Sequence, residues 1–143
     1  RQPVKRLIGT PGETVSMREG TVVRNGRELD EPYASSTYPG LHEALAMRDR
    51  MRALQLPHVI GVAPGDYAPD LHDWGPIVVP PDSLFVMGDN RDDSYDSRYW
   101  GFVPRGNVRG HPMLIYFSYD PASWRAMPFL TAFRWHRILS SPR

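Results

Sequence analysis

Apolar residues in this chain come in short runs broken by Gly, Pro, Asn and Asp. Val4, Leu7 and Ile8 mark a strand over residues 3–8. Thr10-Pro11-Gly12-Glu13 turns it, since Pro presets φ and Gly supplies a positive φ. A short strand over residues 14–17 is turned by Arg18-Glu19-Gly20. Residues 21–24 and 27–29 flank Asn25-Gly26, the strongest short hairpin signal. Residues 1–30 therefore read as a β-meander. Residues 31–40, with Pro32, Pro39 and Gly40, read as a loop. The pattern then changes. Leu41, Leu45, Arg48, Arg52 and Gln55 follow helical spacing, and Ala44, Ala46, Ala53 and Leu54 favour helix. Pro57 ends this stretch. A helix over 41–56 is the one helix expected. Further strands are predicted over 58–62, 77–79, 84–87, 100–103 and 113–117, with turn-rich sequence over 63–76 and a loop over 120–128. In Phe133-Arg134-Trp135-His136-Arg137 aromatic and basic residues mix. This segment reads first as a half-buried strand with one polar face and second as a membrane-surface anchor. Short strands joined by Gly/Pro turns predict a β-rich fold without internal repeats.

Composition narrows the function classes. The 143 residues suffice for one domain with its own core. Hydrophobic residues make up 41% and charged residues 23%, an ordinary globular balance. A net charge of +1 gives no reason to propose a nucleic-acid partner. The chain has no cysteine, which excludes a disulfide framework and a thiolate metal site. His42, His58, His72, His111 and His136 are scattered without metal-ligand spacing. No apolar run reaches the ~18 residues of a membrane span, and no signal peptide is visible. The opening Arg1-Gln2-Pro3 enters a strand pattern at once and reads as the start of a fragment.

The densest chemistry follows Phe85-Val86-Met87. The apolar run stops at Gly88. Asp89-Asn90-Arg91-Asp92-Asp93-Ser94-Tyr95-Asp96-Ser97-Arg98 follows, and Tyr99-Trp100-Gly101 restarts apolar sequence. Charge-dense loops between strands are where binding and catalysis tend to sit. In an extended chain Ser94, Asp96 and Arg98 would point to one face. Taken alone, Asp96 and Arg98 would be a weak exposed pair, and Lys5 would be a solvated lysine. Asp92 and Asp93 read as solvated charge. The loop fails the calcium-loop pattern, lacking its central Gly and terminal Glu.

Together these residues resemble the last signature box of type I signal peptidases: Gly-Asp-Asn-Arg, then Asp-Asn-Ser-x-Asp-Ser-Arg, an aromatic residue and Gly. Asp93 departs from the usual Asn, and Tyr95 fills the free position. Lys5-Arg6-Leu7-Ile8-Gly9-Thr10-Pro11-Gly12-Glu13 resembles the family's lysine box, with Glu13 in place of Asp. Residues 34–75 match nothing in the pattern and are read as an insertion or cap carrying the helix. The resemblance implies a single catalytic domain over 1–143, built from coiled, mostly antiparallel sheets.

It also implies Ser-Lys chemistry. An amide bond needs a nucleophile, a base and donors for the oxyanion. A lysine must be desolvated to act as a neutral base, and Val4, Leu7 and Ile8 are the apolar neighbours expected to cover the Lys5 stem. By the resemblance Lys5 is the general base, Ser94 fixes its amine, Asp96 and Arg98 pair to hold the loop, and Gly88 lets the backbone pass close to Lys5. Pro3 and Val4 line the groove for an extended signal peptide. No cofactor or metal is required. The family's nucleophile lies in a Ser-x-Ser-Met-like box ahead of the lysine box, as does its membrane helix. Ser16-Met17 follows Lys5 and is not accepted in that role. The chain is thus expected to supply the lysine half of an endopeptidase that removes signal peptides outside the cytoplasm, from a protein anchored in the bacterial plasma membrane. By itself it is expected to be inactive. Two rivals stay open: a related Ser-Lys processing peptidase with another substrate, and a non-catalytic peptide-binding β-domain.

Overall fold

The computed structural model describes residues 3–36 and 45–113, with positions 134, 137, 140 and 141. Residues 1–108 form one compact unit and 109–143 a second. In the second, the Arg137 amide donates to the Arg134 carbonyl at 2.9 Å.

The first unit is two small antiparallel sheets with two helices. In chain order its strands are β1 (Arg6–Gly9), β2 (Thr14–Arg18), β3 (Thr21–Arg24), β4 (Arg27–Glu28), β5 (Trp74–Val78), β6 (Ser83–Met87) and β7 (Val103–Pro104). One sheet has the order β4-β3-β2-β5 and the other β1-β6-β7. The β-meander expected over residues 1–30 is present only as β2-β3-β4, because β1 lies in the other sheet, paired with β6. Asn25 (φ 52°) and Gly26 (φ 76°) make its tight turn, the left-handed pair that Asn-Gly tolerates best. Val15 and Met17 of β2 face inward, and a register shift in the β2–β5 pairing brings Trp74 and Ile77, three apart, to the same core, where they meet Ile8, Val22, Val79, Phe85 and Met87. Trp74 packs on Phe85 at 5.1 Å between ring centroids.

The long helix, α1, runs Leu45–Gln55. Positions 41–44 of the expected helix lie outside the described residues. Met51 and Gln55, four apart, face inward and are buried.

Several expected elements are corrected. The first strand begins at Arg6 rather than Pro3, because pairing with β6 begins at the Arg6–Met87 register. Residues 58–62 are not a strand. Pro57 sits in a 3-10 turn, Leu56–His58, and only Val59 bridges to Ile77. Trp100 ends a second helix, α2 (Ser97–Trp100), instead of starting a strand. The strand expected over 113–117 lies, from residue 114, outside the described residues, as do the 120–128 loop and most of 133–137.

Candidate active site

The two signature boxes meet through one strand pair. β1 and β6 are antiparallel with Arg6 opposite Met87 and Leu7 opposite Val86. One step further along that register sets Lys5 beside Gly88. The Lys5 Nζ donates to Ser94 Oγ at 2.7 Å, across 89 positions of sequence. Lys5 and Ser94 are both half-buried.

Gly88 makes this approach possible. A Cβ built there would lie 2.2 Å from Ser94 Oγ, 2.6 Å from Ser94 Cβ and 3.3 Å from Lys5 Nζ. Gly88→Ala should therefore push Ser94 away from the amine. The expected loss is about 1–3 kcal/mol of stability from overpacking, read by a urea melt. Adding Ser94→Gly should recover it, because the clash goes with the side chain.

Asp96 and Arg98 form the floor of the loop, and both side chains are wholly buried. Arg98 Nε and Nη2 donate to the two oxygens of Asp96, each at 2.9 Å. Nη2 also donates to the Arg91 carbonyl at 2.6 Å. Asp96 additionally accepts from the Gly88 amide at 3.0 Å and the Arg98 amide at 3.2 Å. Burial pushes the Asp96 carboxyl up. The bonds and charge of Arg98, the Gly88 amide and the Ser94 hydroxyl more than reverse this and hold it below its ordinary value.

The backbone departs from the extended loop that would place Ser94, Asp96 and Arg98 on one face. Asp96 is the N-cap of α2, and Arg98 lies in the helix. The three residues still converge, because the cap turns the carboxylate back toward Gly88 and the guanidinium folds over it. The expected cover on the lysine is also corrected. Ile8 is buried, but Val4 is 77% and Leu7 48% exposed. Val4 and Leu7 therefore do not enclose the stem. Pro3 and Val4 are exposed and precede β1. Asp92 is not solvated. Its side chain is inaccessible, accepts from Ser36 Oγ and lies 3.4 Å from His72 Nε2. Asp93 is exposed.

A ring of partners for the site was invisible in the sequence. Arg6 donates to both oxygens of Asp89 at 2.8 Å. Arg91 does the same to Glu31 at 2.7 and 2.8 Å. The Ser35 amide donates to the Asp89 carbonyl and the Arg91 amide to the Ser35 carbonyl, each at 2.8 Å. From α1, Arg50 Nε donates to the Tyr99 carbonyl at 2.8 Å and Gln55 Nε2 to the Arg98 carbonyl at 3.4 Å. Tyr67 donates to Gln55 Oε1, and burial pushes its hydroxyl up to about 12, so it stays protonated. The insertion expected over 34–75 thus supplies groups that grip the end of α2. Clefts of about 310 and 530 Å³ open elsewhere, lined by residues such as Tyr67 and Trp74 or Ser36 and His72, not by Lys5 or Ser94. Among the described residues no cluster of three His, Asp or Glu could hold a metal ion, and no helix is long and apolar enough to cross a membrane.

Comparison with known proteins agrees with the two boxes. A family model described as signal peptidase, peptidase S26, matches residues 1–117. A signal peptidase I of Leptolyngbya laminosa is 38% identical over 114 residues, covering 80% of this chain and 40% of that protein. A signal peptidase I of Bacillus licheniformis is 35% identical over 118 residues, covering 82% and 52%. A crystal structure of a signal peptidase I from Enterococcus faecalis is 34% identical with a TM-score of 0.44, covering 74% and 78%. The chain spans about half or less of the length of these first two relatives. With the model matching most of its length and both boxes folded against each other, the chain belongs to the signal peptidase family, peptidase S26.

Proposed function

We propose that the protein to which these residues belong removes N-terminal signal peptides from exported precursors, with Lys5 as general base. The single observation that carries this reading is the 2.7 Å contact between Lys5 Nζ and Ser94 Oγ. In the proposed reaction a serine hydroxyl gives its proton to the Lys5 lone pair and attacks the scissile carbonyl. The Lys5 ammonium then returns that proton to the leaving amine, and water resolves the acyl-enzyme by the same route. Ser94 keeps the amine aimed, and the Asp96–Arg98 pair keeps Ser94 in place. The attacking serine belongs to a Ser-x-Ser-Met-like box. No serine precedes Lys5 in residues 1–143, and Ser16 is buried within β2. The substrate is an extended peptide with small residues before the cut, laid as an added strand beside β1 near Pro3 and Val4. The site works on the extracytoplasmic side of a bacterial plasma membrane, held there by a membrane anchor.

The test is to incubate the full-length protein, in vesicles, with a precursor carrying an Ala-x-Ala site and to sequence the new N-terminus of the product. Cleavage directly after that site supports the reading. Cleavage only elsewhere favours a processing peptidase of other specificity. A polypeptide of residues 1–143 alone is expected to leave the precursor intact. Turnover by it that disappears in Lys5→Ala would show that a serine within these residues serves.

A further inference from the structure

We infer that Glu31 and Tyr33, on the loop after β4, are positioning residues for the catalytic lysine, acting through Arg91 and Arg6. The inference rests on the reading of Lys5 as the base.

Gly88 is the backbone surface against which Lys5 and Ser94 meet, and both of its peptide groups are held. Its amide donates to Asp96 at 3.0 Å. Its carbonyl accepts from Arg91 Nε at 3.1 Å. Arg91 is thus the group that sets the carbonyl side, and Glu31 sets Arg91. The two carboxylate oxygens of Glu31 take Arg91 Nη1 and Nη2 at 2.7 and 2.8 Å, with 6% and 8% of the two side chains exposed. A two-point bond of this kind fixes the plane of the guanidinium as well as its distance. The other arm starts on Lys5's own neighbour. Arg6 is locked to Asp89, next to Gly88, and its guanidinium carbon lies 3.4 Å above the centre of the Tyr33 ring. Tyr33 in turn donates to Glu31 Oε1 at 2.9 Å. One carboxylate therefore ties together the two arginines that brace the two sides of the amine. The pairing is two-point at both ends, buried at Arg91–Glu31 and partly exposed at Arg6–Asp89.

The charged groups around Lys5 are Arg6 with Asp89, Arg98 with Asp96, and Arg91 with Glu31, each cation matched to a carboxylate. Replacing Glu31 frees the Arg91 guanidinium that holds the Gly88 carbonyl, so the backbone against which Lys5 and Ser94 meet is no longer fixed on that side.

The experiment uses the full-length protein with Glu31→Gln, Tyr33→Leu and Tyr33→Phe, assayed well below their melting temperatures with the folded fraction measured. Glu31→Gln is expected to lower kcat about tenfold to a hundredfold with little change in KM. Tyr33→Leu should lower kcat less than Glu31→Gln does, and Tyr33→Phe, which keeps the ring under Arg6 but loses the hydroxyl bond to Glu31, should fall between Tyr33→Leu and wild type. Wild-type kcat in Glu31→Gln, even with a lowered melting point, would overturn the inference and leave Glu31 a structural residue. If Glu31→Gln does not fold, the Tyr33 pair decides, because equal kcat in Tyr33→Leu and wild type overturns it as well. Failure of the underlying reading looks different: there the Lys5→Met protein itself stays active.

Discussion

Lys5→Met is expected to lower kcat/KM for a precursor on the order of 10²–10⁴-fold, the usual contribution of a positioned general base. Methionine keeps an unbranched stem of similar length and removes only the amine. Fold loss is not the cause, because Lys5 precedes β1 and the described structure gives its amine the one bond to Ser94. Losing that bond costs about 1 kcal/mol, which a urea melt reads separately. Lys5→Arg should be as inactive as Lys5→Met, since a guanidinium stays protonated and has no lone pair to offer. Single-turnover cleavage of a purified precursor is the measurement. A Lys5→Met protein within about tenfold of wild type would remove Lys5 from the reaction and with it the Ser-Lys assignment.

Asp96→Ala carries the largest expected cost in stability, about 3–5 kcal/mol. The reason is what stays behind. Arg98 is fully buried, and alanine would leave its charge without a carboxylate. The Gly88 amide would lose its acceptor and α2 its N-cap, a further ~1 kcal/mol. Domains of this size hold only ~5–15 kcal/mol in all, so the variant sits near the edge of folding. Asp96→Asn keeps the shape and separates charge from packing. The folded carboxyl is held below its ordinary value. Its contribution is therefore present above the unfolded value, ~3.9, and fades as pH falls through the lower folded value. Urea midpoints of wild type and Asp96→Asn should thus differ most near neutral pH and converge in acid. A constant gap across that range would mean that the Asp96–Arg98 charge pair contributes no pH-dependent stability.

The chemistry of this site was legible because it demands particular residue types close together in sequence. Gly88, Ser94, Asp96 and Arg98 lie within one loop, and Lys5 opens the other box. The Asn25-Gly26 turn was legible for a similar reason, since few dipeptides accept two left-handed residues in succession. Glu31, Tyr33 and Arg50 were not. Their partners sit far along the chain, and an acidic residue before Pro32 looks like any solvated loop charge. Arg91 gave no signal either, since Asp89, Asp92 and Asp93 stand in its own box as nearer candidate partners. Alternation misjudged residues 94–98 because Asp two residues before Arg suits both a strand face and a helix cap. Val4 and Leu7 were misjudged because Val4 precedes β1 and Leu7 lies on an edge strand, where an apolar residue need not be buried.

The bond between Lys5 and Ser94 also sets a timetable. Lys5 is made 89 positions before the serine that aims it, roughly 4–18 s earlier at ordinary ribosome speeds. Until Met87 is made β1 has no complete β6 to pair with, and until Ser94 is made the amine has no hydroxyl to hold it. The two halves of this contact therefore come together only late in synthesis, and a chain cut short before Ser94 does not carry it.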